Sequence, residues 1–285
     1  MSMRIRSFLF CPAIRPDFVP KGERAGADVI VIDLEDSVVP ARKAEARQLA
    51  TASLHAHVAS GAAAQLFVRV NAPASPFFAD DVHSLSSMVA GIVVPKVEDP
   101  AVVPEVRQRL GQRGAAVVIV AGVESVRGVL RVGEITASGP DAVYFGAEDY
   151  IADLGGRRTS VGLEVLHPRS AVALSARDRG IVPVDQAVVD LRDDDAFTAD
   201  AEVGRSLGYR GKICLHPTQV RLANAVFSLS DDELNRAQRI VRAYESGVAA
   251  GTAVVEVDGQ MIDEALARGA RATIAALGDA AGSGE

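Results

Sequence analysis

Short apolar runs closed by polar, Gly or Pro residues recur along the chain. They are Ser7–Phe10, Val29–Leu34, Leu66–Val70, Ile92–Val94, Val117–Ala121, Ala142–Phe145, Gln186–Val189 and Lys212–Leu215. Most are rich in Val and Ile and apolar at consecutive positions, as expected of strands covered on both faces. The stretches between them read as helices. Pro40 stands at a first helical position before the strong helix formers of residues 41–47. Pro100–Leu110, Glu124–Ile135, His167–Asp178 and Ala196–Leu207 fill the same role. Strands alternating with helices pair in parallel through right-handed crossovers, and eight such units predict a closed (β/α)8 TIM barrel rather than an open sheet. The seventh strand is the least regular, because Pro183 and Asp185 interrupt its approach.

Beyond Leu215 the rhythm changes. Thr218–Phe227 reads as the last barrel helix, and Ser230 with Glu233 has the spacing of a capping box opening a helix to about Ser246. Thr252–Val257 and Gln260–Ile262 flank Asp258-Gly259, a pair suited to a two-residue type I′ turn. A final helix is expected over Glu264–Leu277, with Gly278–Glu285 frayed. The predicted organisation is a barrel over residues 1–228 and a C-terminal helical and hairpin lid over residues 229–285.

Composition narrows the function classes. The chain has 285 residues, 48% of them hydrophobic, enough for one large core. The net charge of −7 comes from 30 basic and 37 acidic residues with no Lys/Arg block, which argues against nucleic acid. No apolar run reaches the roughly 18 residues needed to span a bilayer, so no membrane partner is expected. Cys11 and Cys214 are too far apart to staple a small secreted fold, which places the chain in a reducing cytoplasm. Both read as packing residues.

The polar residues concentrate where the strands end. Strand two runs into Asp33, Glu35 and Asp36, and strand three carries Arg69 and stops at Asn71. Strand four ends at Pro95-Lys96, strand five leads to Glu124, strand six to Glu148-Asp149 and strand eight to His216-Pro217. In a closed barrel these ends share one face, where active sites of this architecture are built. Crowded carboxylates repel unless a cation, shared protons or basic partners intervene. An oxygen-rich set suits Mg²⁺ or Mn²⁺ better than Zn²⁺. Glu124 and Asp149 form the candidate ligand pair, with Glu35, Asp36 and Glu148 behind them. Arg69, inside an apolar strand, could grip a carboxylate or α-keto acid with its planar fork, or pair with Glu35 or Asp36. Lys96 divides evenly between a ligand contact and a structural ion pair.

Several blocks carry a resemblance. Phe10-Cys11-Pro12, Asp33-Leu34-Glu35-Asp36-Ser37-Val38, Val68-Arg69-Val70-Asn71, Pro95-Lys96, Glu124 and Phe145-Gly146-Ala147-Glu148-Asp149 come in order. Gly211–Pro217 and Gly259-Gln260-Met261-Ile262-Asp263 follow. Together they resemble the citrate lyase β-subunit-like family of the HpcH/HpaI aldolase superfamily, over residues of about 6 to 275. The resemblance implies a barrel, usually trimeric, that uses Mg²⁺ to make or break a C–C bond beside a CoA thioester. It implies Glu124 and Asp149 as metal ligands and Arg69 on the carboxylate or keto group of the acid fragment, and Asn71, Pro95 and Lys96 at the ends of strands three and four are further substrate-binding candidates. It also implies Asp263 as an acid/base on a lid that closes over a neighbouring subunit's site. Residue type alone would make Asp263 a helix N-cap.

The chemistry so implied is cleavage or formation of a 3-hydroxyacyl-CoA such as citryl-, citramalyl- or malyl-CoA. The products are an α-keto acid and acetyl-CoA, reached through a thioester enolate. Alternatives are the citryl-carrier-protein lyase subunit of a citrate lyase complex, a pyruvate or oxaloacetate aldolase on free hydroxy-keto acids, and a non-enzymatic barrel subunit. There is no Gly-rich phosphate loop, so Arg15, Lys21, Lys43 and Arg47 are the candidates for holding CoA at the mouth.

Overall fold

Alternation within the apolar runs sorts the two faces of a barrel wall. The structure, a computed structural model, describes residues 5–85 and 88–281. Its strands are β1 (Ser7–Pro12), β2 (Val29–Asp33), β3 (Gln65–Arg69), β4 (Gly91–Val94), β5 (Val118–Val123), β6 (Ala142–Phe145), β7 (Val182–Asp185) and β8 (Gly211–Cys214). They pair in parallel in sequence order and close through β8 on β1, with Ser7 opposite Lys212. The expected (β/α)8 barrel is therefore the fold. Ile30, Ile32, Leu66, Val68, Ile92 and Val94 share one buried cluster with Ala46, Ala50 and Leu54 of helix α2 (Lys43–Ser60), so these are the outward positions. The positions between them face the barrel axis, where Phe8 meets Phe67 edge-on at 6.0 Å. At this inward parity β2 ends in Asp33 and β3 in Arg69, which carries charge to the barrel mouth.

Around the sheet, besides α2, stand three short helices absent from the sequence reading, α1 (Val19–Ala25), α3 (Phe78–Ser84) and, after β6, α7 (Ala147–Leu154). Between these come α4 (Val102–Leu110), α5 (Val126–Leu130) and α6 (Val132–Ala137). The single helix expected over Glu124–Ile135 is in fact these last two, divided at Arg131. The first begins only after Ser125, whose hydroxyl accepts from Gly128 N. Helices α8 (Leu163–Arg179), α9 (Asp194–Ser206) and α10 (Pro217–Val226) complete the ring.

The seventh strand corrects the sequence reading. It is Val182–Asp185, not Gln186–Val189, and it contains both residues taken as interruptions. Pro183 can sit there because its carbonyl still accepts from Arg210 N at 3.0 Å, and the missing donor is its only loss. Asp185 is fully buried because two cations meet it. Arg169 reaches it through Nε and Nη2 at 2.8 and 2.6 Å, and Lys212 Nζ at 2.8 Å. Asp200 of α9 also accepts from Arg169 and Lys212, giving a network of two cations and two carboxylates between β7, β8 and the helices. A Cβ on Gly204 would lie 2.3 Å from Asp185 Oδ2, so that glycine makes room for the network.

Ile5–Phe227 forms one compact unit and the chain from Ser228 a second. The second contains α11 (Asp231–Ala249), β9 (Val255–Val257), β10 (Gln260–Ile262) and α12 (Glu264–Ala281), around Tyr244, Ile262 and Ala267. The capping box forms as expected: Ser230 Oγ accepts from Glu233 N, and Glu233 Oε2 accepts from Ser230 N. Asp258 and Gly259 have φ of 52° and 76°, the left-handed pair of a type I′ turn. Helix α12 extends to Ala281, so residues 278–281 are helical rather than frayed. Residues 282–285 lie outside the described residues.

Candidate active site

A cavity of about 460 Å³ opens at the C-terminal ends of the strands, and Asp33, Arg69, Glu124, Glu148 and Asp149 line it. Its organising pair is Asp33 and Arg69. Arg69 Nε and Nη2 donate to Asp33 Oδ1 and Oδ2 at 2.7 and 2.9 Å, a bidentate fork. Asp33 also accepts from the backbone N–H of Glu35 and Ser37, which shapes the loop after β2. Burial alone would raise the Asp33 carboxyl, but the guanidinium overrides it and holds the group below the ordinary carboxylate range. Arg69 Nη1 lies 3.1 Å from Glu35 Oε2, and Cζ sits 4.7 Å from the centre of the Phe10 ring. Of the two readings left open for Arg69, the pairing with Glu35 is present, and Asp33 is the stronger partner.

Lys96 acts as a second internal cation. Its ammonium lies 2.9 Å from Glu35, 3.3 Å from Asp36 and 3.6 Å from Asp149. Desolvation works against its charge, yet these carboxylates raise its pKa above the ordinary lysine value. Its φ of 50° is uncommon for a residue with a Cβ. The acid cluster inferred from the strand ends is thus partly neutralised from within. Glu148 has its own partner, Arg158 Nε at 3.0 Å.

Glu124 differs from the rest. It is 2% exposed, its Oε1 accepts from the Tyr144 hydroxyl, and its buried Oε2 has no hydrogen-bond partner. Desolvation first, and the nearby Glu35 charge second, push its carboxyl well above the ordinary value. Two glycines make this placement sterically feasible. A Cβ on Gly146 would lie 2.7 Å from Glu124 Cγ, and one on Gly122 would lie 2.4 Å from the Tyr144 hydroxyl oxygen. A buried carboxylate oxygen without a donor is what a cation ligand looks like before the cation. Asp149, at the first turn of α7, lines the same cavity. Among the described residues no three His, Cys, Asp or Glu side chains are grouped to hold a metal by themselves. An ion of the Mg²⁺ type takes one or two carboxylates and fills its other positions with water and substrate oxygens.

Other expected site residues lie elsewhere. Asn71 is buried, and its amide donates to Leu34 O at 3.1 Å and Asp81 Oδ2 at 2.5 Å, so it braces two loops. Pro95 is buried and is not among the residues lining the cavity. Lys43 is spent on the carbonyls of Leu34 and Glu35 at 2.6 and 2.8 Å, and Arg47 pairs with Asp81, so neither is free at the mouth for CoA. Arg15 and Lys21 are exposed and both reach Asp17. Asp263 caps α12, accepting from Leu266 N at 3.1 Å. The sequence reading missed Tyr144, hidden in the run Ala-Val-Tyr-Phe. Strand parity was the available signal, since its ring points inward beside Glu124.

Residues 6–217 match the family described as HpcH/HpaI aldolase/citrate lyase. The chain belongs to that family. Over 270 residues it is 43% identical to a citrate lyase subunit beta-like protein of Deinococcus radiodurans, covering 94% of this chain and 95% of that one. An L-malyl-CoA/beta-methylmalyl-CoA lyase of Cereibacter sphaeroides is 33% identical, with 90% of each chain covered. Among solved structures, the CitE protein of Mycobacterium tuberculosis in complex with magnesium, acetoacetate and coenzyme A superposes with a TM-score of 0.80. It is 29% identical, and the match covers 96% of this chain and 98% of that one. As a member of the HpcH/HpaI aldolase/citrate lyase family, the chain is a carbon–carbon lyase. No helix among the described residues is long and apolar enough to cross a membrane.

Proposed function

We propose that the chain is a Mg²⁺-dependent lyase that cleaves, or forms, a 3-hydroxyacyl-CoA of the citryl, citramalyl or malyl type. The α-keto acid and acetyl-CoA are the products. The observation that carries this reading is the buried Glu124 oxygen without a partner, set in one cavity with Asp149 and Arg69. Related lyases act on malyl-CoA, and the CitE structure holds magnesium and coenzyme A, which supports the same assignment here.

Glu124 and Asp149 would hold the ion, with Mn²⁺ as an alternative to Mg²⁺, and Tyr144, Glu35, Asp36 and Glu148 would orient the ligands. When bound, the ion polarises the oxygen that becomes the ketone. Arg69 keeps N–H groups beyond those spent on Asp33 and uses them to orient the carboxylate of the acid fragment. Lys96 makes the potential of an acidic mouth less negative and so less repulsive to an anionic substrate. As a carboxylate lining the cavity takes the hydroxyl proton, the C2–C3 bond breaks and its electron pair leaves as a thioester enolate, whose carbon takes a proton from protonated Asp263. In the reverse direction the same carboxylate removes that proton. The reading includes a homotrimer in which Asp263 of one protomer serves its neighbour's site. Mixing Asp263→Asn with Glu124→Gln would then restore activity that neither variant has alone.

The direct test is a panel of citryl-, citramalyl- and malyl-CoA assayed with Mg²⁺ and with EDTA, beside the free acids and a citryl-carrier-protein substrate. Turnover of a CoA ester that EDTA abolishes is the expected result. Equal turnover with and without CoA would move the assignment to a free-acid aldolase.

A further inference from the structure

The cavity has two chemically distinct sides. Asp33, Arg69, Glu124 and Asp149, from β2, β3 and the segments after β5 and β6, supply one, while Ala187, Ile213 and Leu215, from β8 and the segments just beyond β7 and β8, supply the other. Ala187 and Leu215 both lie just beyond their strands, in segments without ladder partners, so something else must hold them. Gln219 of α10 does so. It is 2% exposed, and its side chain makes contacts in two directions. Oε1 accepts from Leu215 N at 2.7 Å. Nε2 donates to Val188 O at 3.0 Å and, at a longer 3.4 Å, to Asp190 O. One buried amide thus ties the segment after β7 to the end of β8, on either side of the apolar wall. Its own helix is fixed at that point, because His216 caps α10 and Gln219 N donates to His216 O.

We infer that Gln219 is a positioning residue for the lyase: it holds Ala187 and Leu215 as the apolar wall against which the non-ionic acyl portion of the substrate lies. The ionic fragment binds across the cavity on Arg69 and the carboxylates, and the wall sets how much alkyl substitution the acyl chain can carry. The inference rests on the thioester-lyase reading above. Replacing Gln219 by Leu keeps the bulk but leaves the Leu215 N–H and the Val188 and Asp190 carbonyls without their partner. The wall loosens while Arg69, Glu124 and Asp149 stay in place, so binding of the acyl part suffers more than the bond-breaking step.

The experiment compares wild type, Gln219→Leu and Ala187→Leu in steady-state lyase assays on malyl-CoA and on a methyl-branched analogue. Ala187→Leu fills the wall without touching the clamp, so it keeps the inference testable if Gln219→Leu folds poorly. Both variants are expected to raise KM about tenfold with kcat within about threefold of wild type, Ala187→Leu more strongly for the branched ester. Amide hydrogen exchange over residues 187–191 should rise in Gln219→Leu alone. Unchanged KM in both variants, with wild type active, would overturn the inference while leaving the lyase reading intact. Wild type inactive on every thioester would instead overturn the reading and the inference together.

Discussion

Arg69 and Asp33 face each other across neighbouring strands as a parallel two-bond fork, paired in register at the ends of β2 and β3. Asp33 is buried, and the Arg69 side chain is 14% exposed, so each is the main counter-charge of the other in a largely dry setting. Replacing Arg69 by Lys keeps one charge but loses the fork. That variant should lose about 3 kcal/mol of unfolding free energy and at least about 100-fold in kcat/KM. Urea melts and steady-state kinetics measure the two effects. The folded pKa of Asp33 is depressed, so its stabilisation is complete above the ordinary carboxylate value and lost as pH falls through the lower folded value. Asp33→Asn should flatten the acid limb of the stability curve. An unchanged limb would show that the ion pair is not its source.

Glu124 works in the opposite sense. Its folded pKa is raised, so the metal-free protein holds that proton longer than the unfolded chain and loses stability as pH climbs above the ordinary value. Glu124→Gln cannot titrate. Its melting temperature relative to metal-free wild type should therefore increase between about pH 5 and about pH 8. Wild type should gain melting temperature with added Mg²⁺, and the variant should gain none. A Mg²⁺-dependent shift retained in Glu124→Gln would remove this residue from the ion's ligands.

Gly146 is tested by adding one methyl. Its φ is −102°, so alanine meets no backbone strain there, and the nearest obstacle is the Glu124 side chain, with Cγ at 2.7 Å and Cδ at 3.0 Å. Gly146→Ala should cost about 1–3 kcal/mol from overpacking and should weaken Mg²⁺ binding, because Glu124 has to move. Isothermal titration with Mg²⁺ separates the two effects. Wild-type affinity in this variant would mean that the carboxylate tolerates displacement.

Both cysteines are buried, and burial pushes the Cys11 and Cys214 thiols up to about 12. The unfolded chain ionises its thiols near the ordinary value of about 8.5, so stability tied to these groups falls as pH rises beyond that point. The native protein should resist iodoacetamide at about pH 8, and the denatured protein should take up two equivalents. Rapid modification of native protein with loss of activity would reopen a role for a thiol.

The barrel was legible because most strands announced themselves by apolar residues at consecutive positions, and their charged ends shared one side. Strand seven was not, because its fitness depends on partners far off in sequence. Asp185 becomes a strand residue only when Arg169 and Lys212 neutralise it. The residue types of the site could be read at Asp33, Arg69, Glu124 and Asp149, but not their pairing. Asn71 and Lys43 looked available for substrate, because nothing local shows that a side chain is committed to the carbonyls of a neighbouring loop. Tyr144 was overlooked for the converse reason. A tyrosine in an apolar run reads as packing until parity places its hydroxyl beside a buried acid.

The four-charge network of Arg169, Asp185, Asp200 and Lys212 bears on how the protein is made. Its charges balance only when all four are present, and Lys212 is the last to be synthesised. A nascent chain ending before β8 holds two acids against one arginine, and β1 lacks the neighbour that closes the ring. Partial barrels are therefore penalised twice, by an open sheet edge and by a surplus negative charge in a dry interior. Arrival of β8, which carries Lys212, removes both penalties, so the unit should assemble late and all at once on leaving the ribosome, not strand by strand.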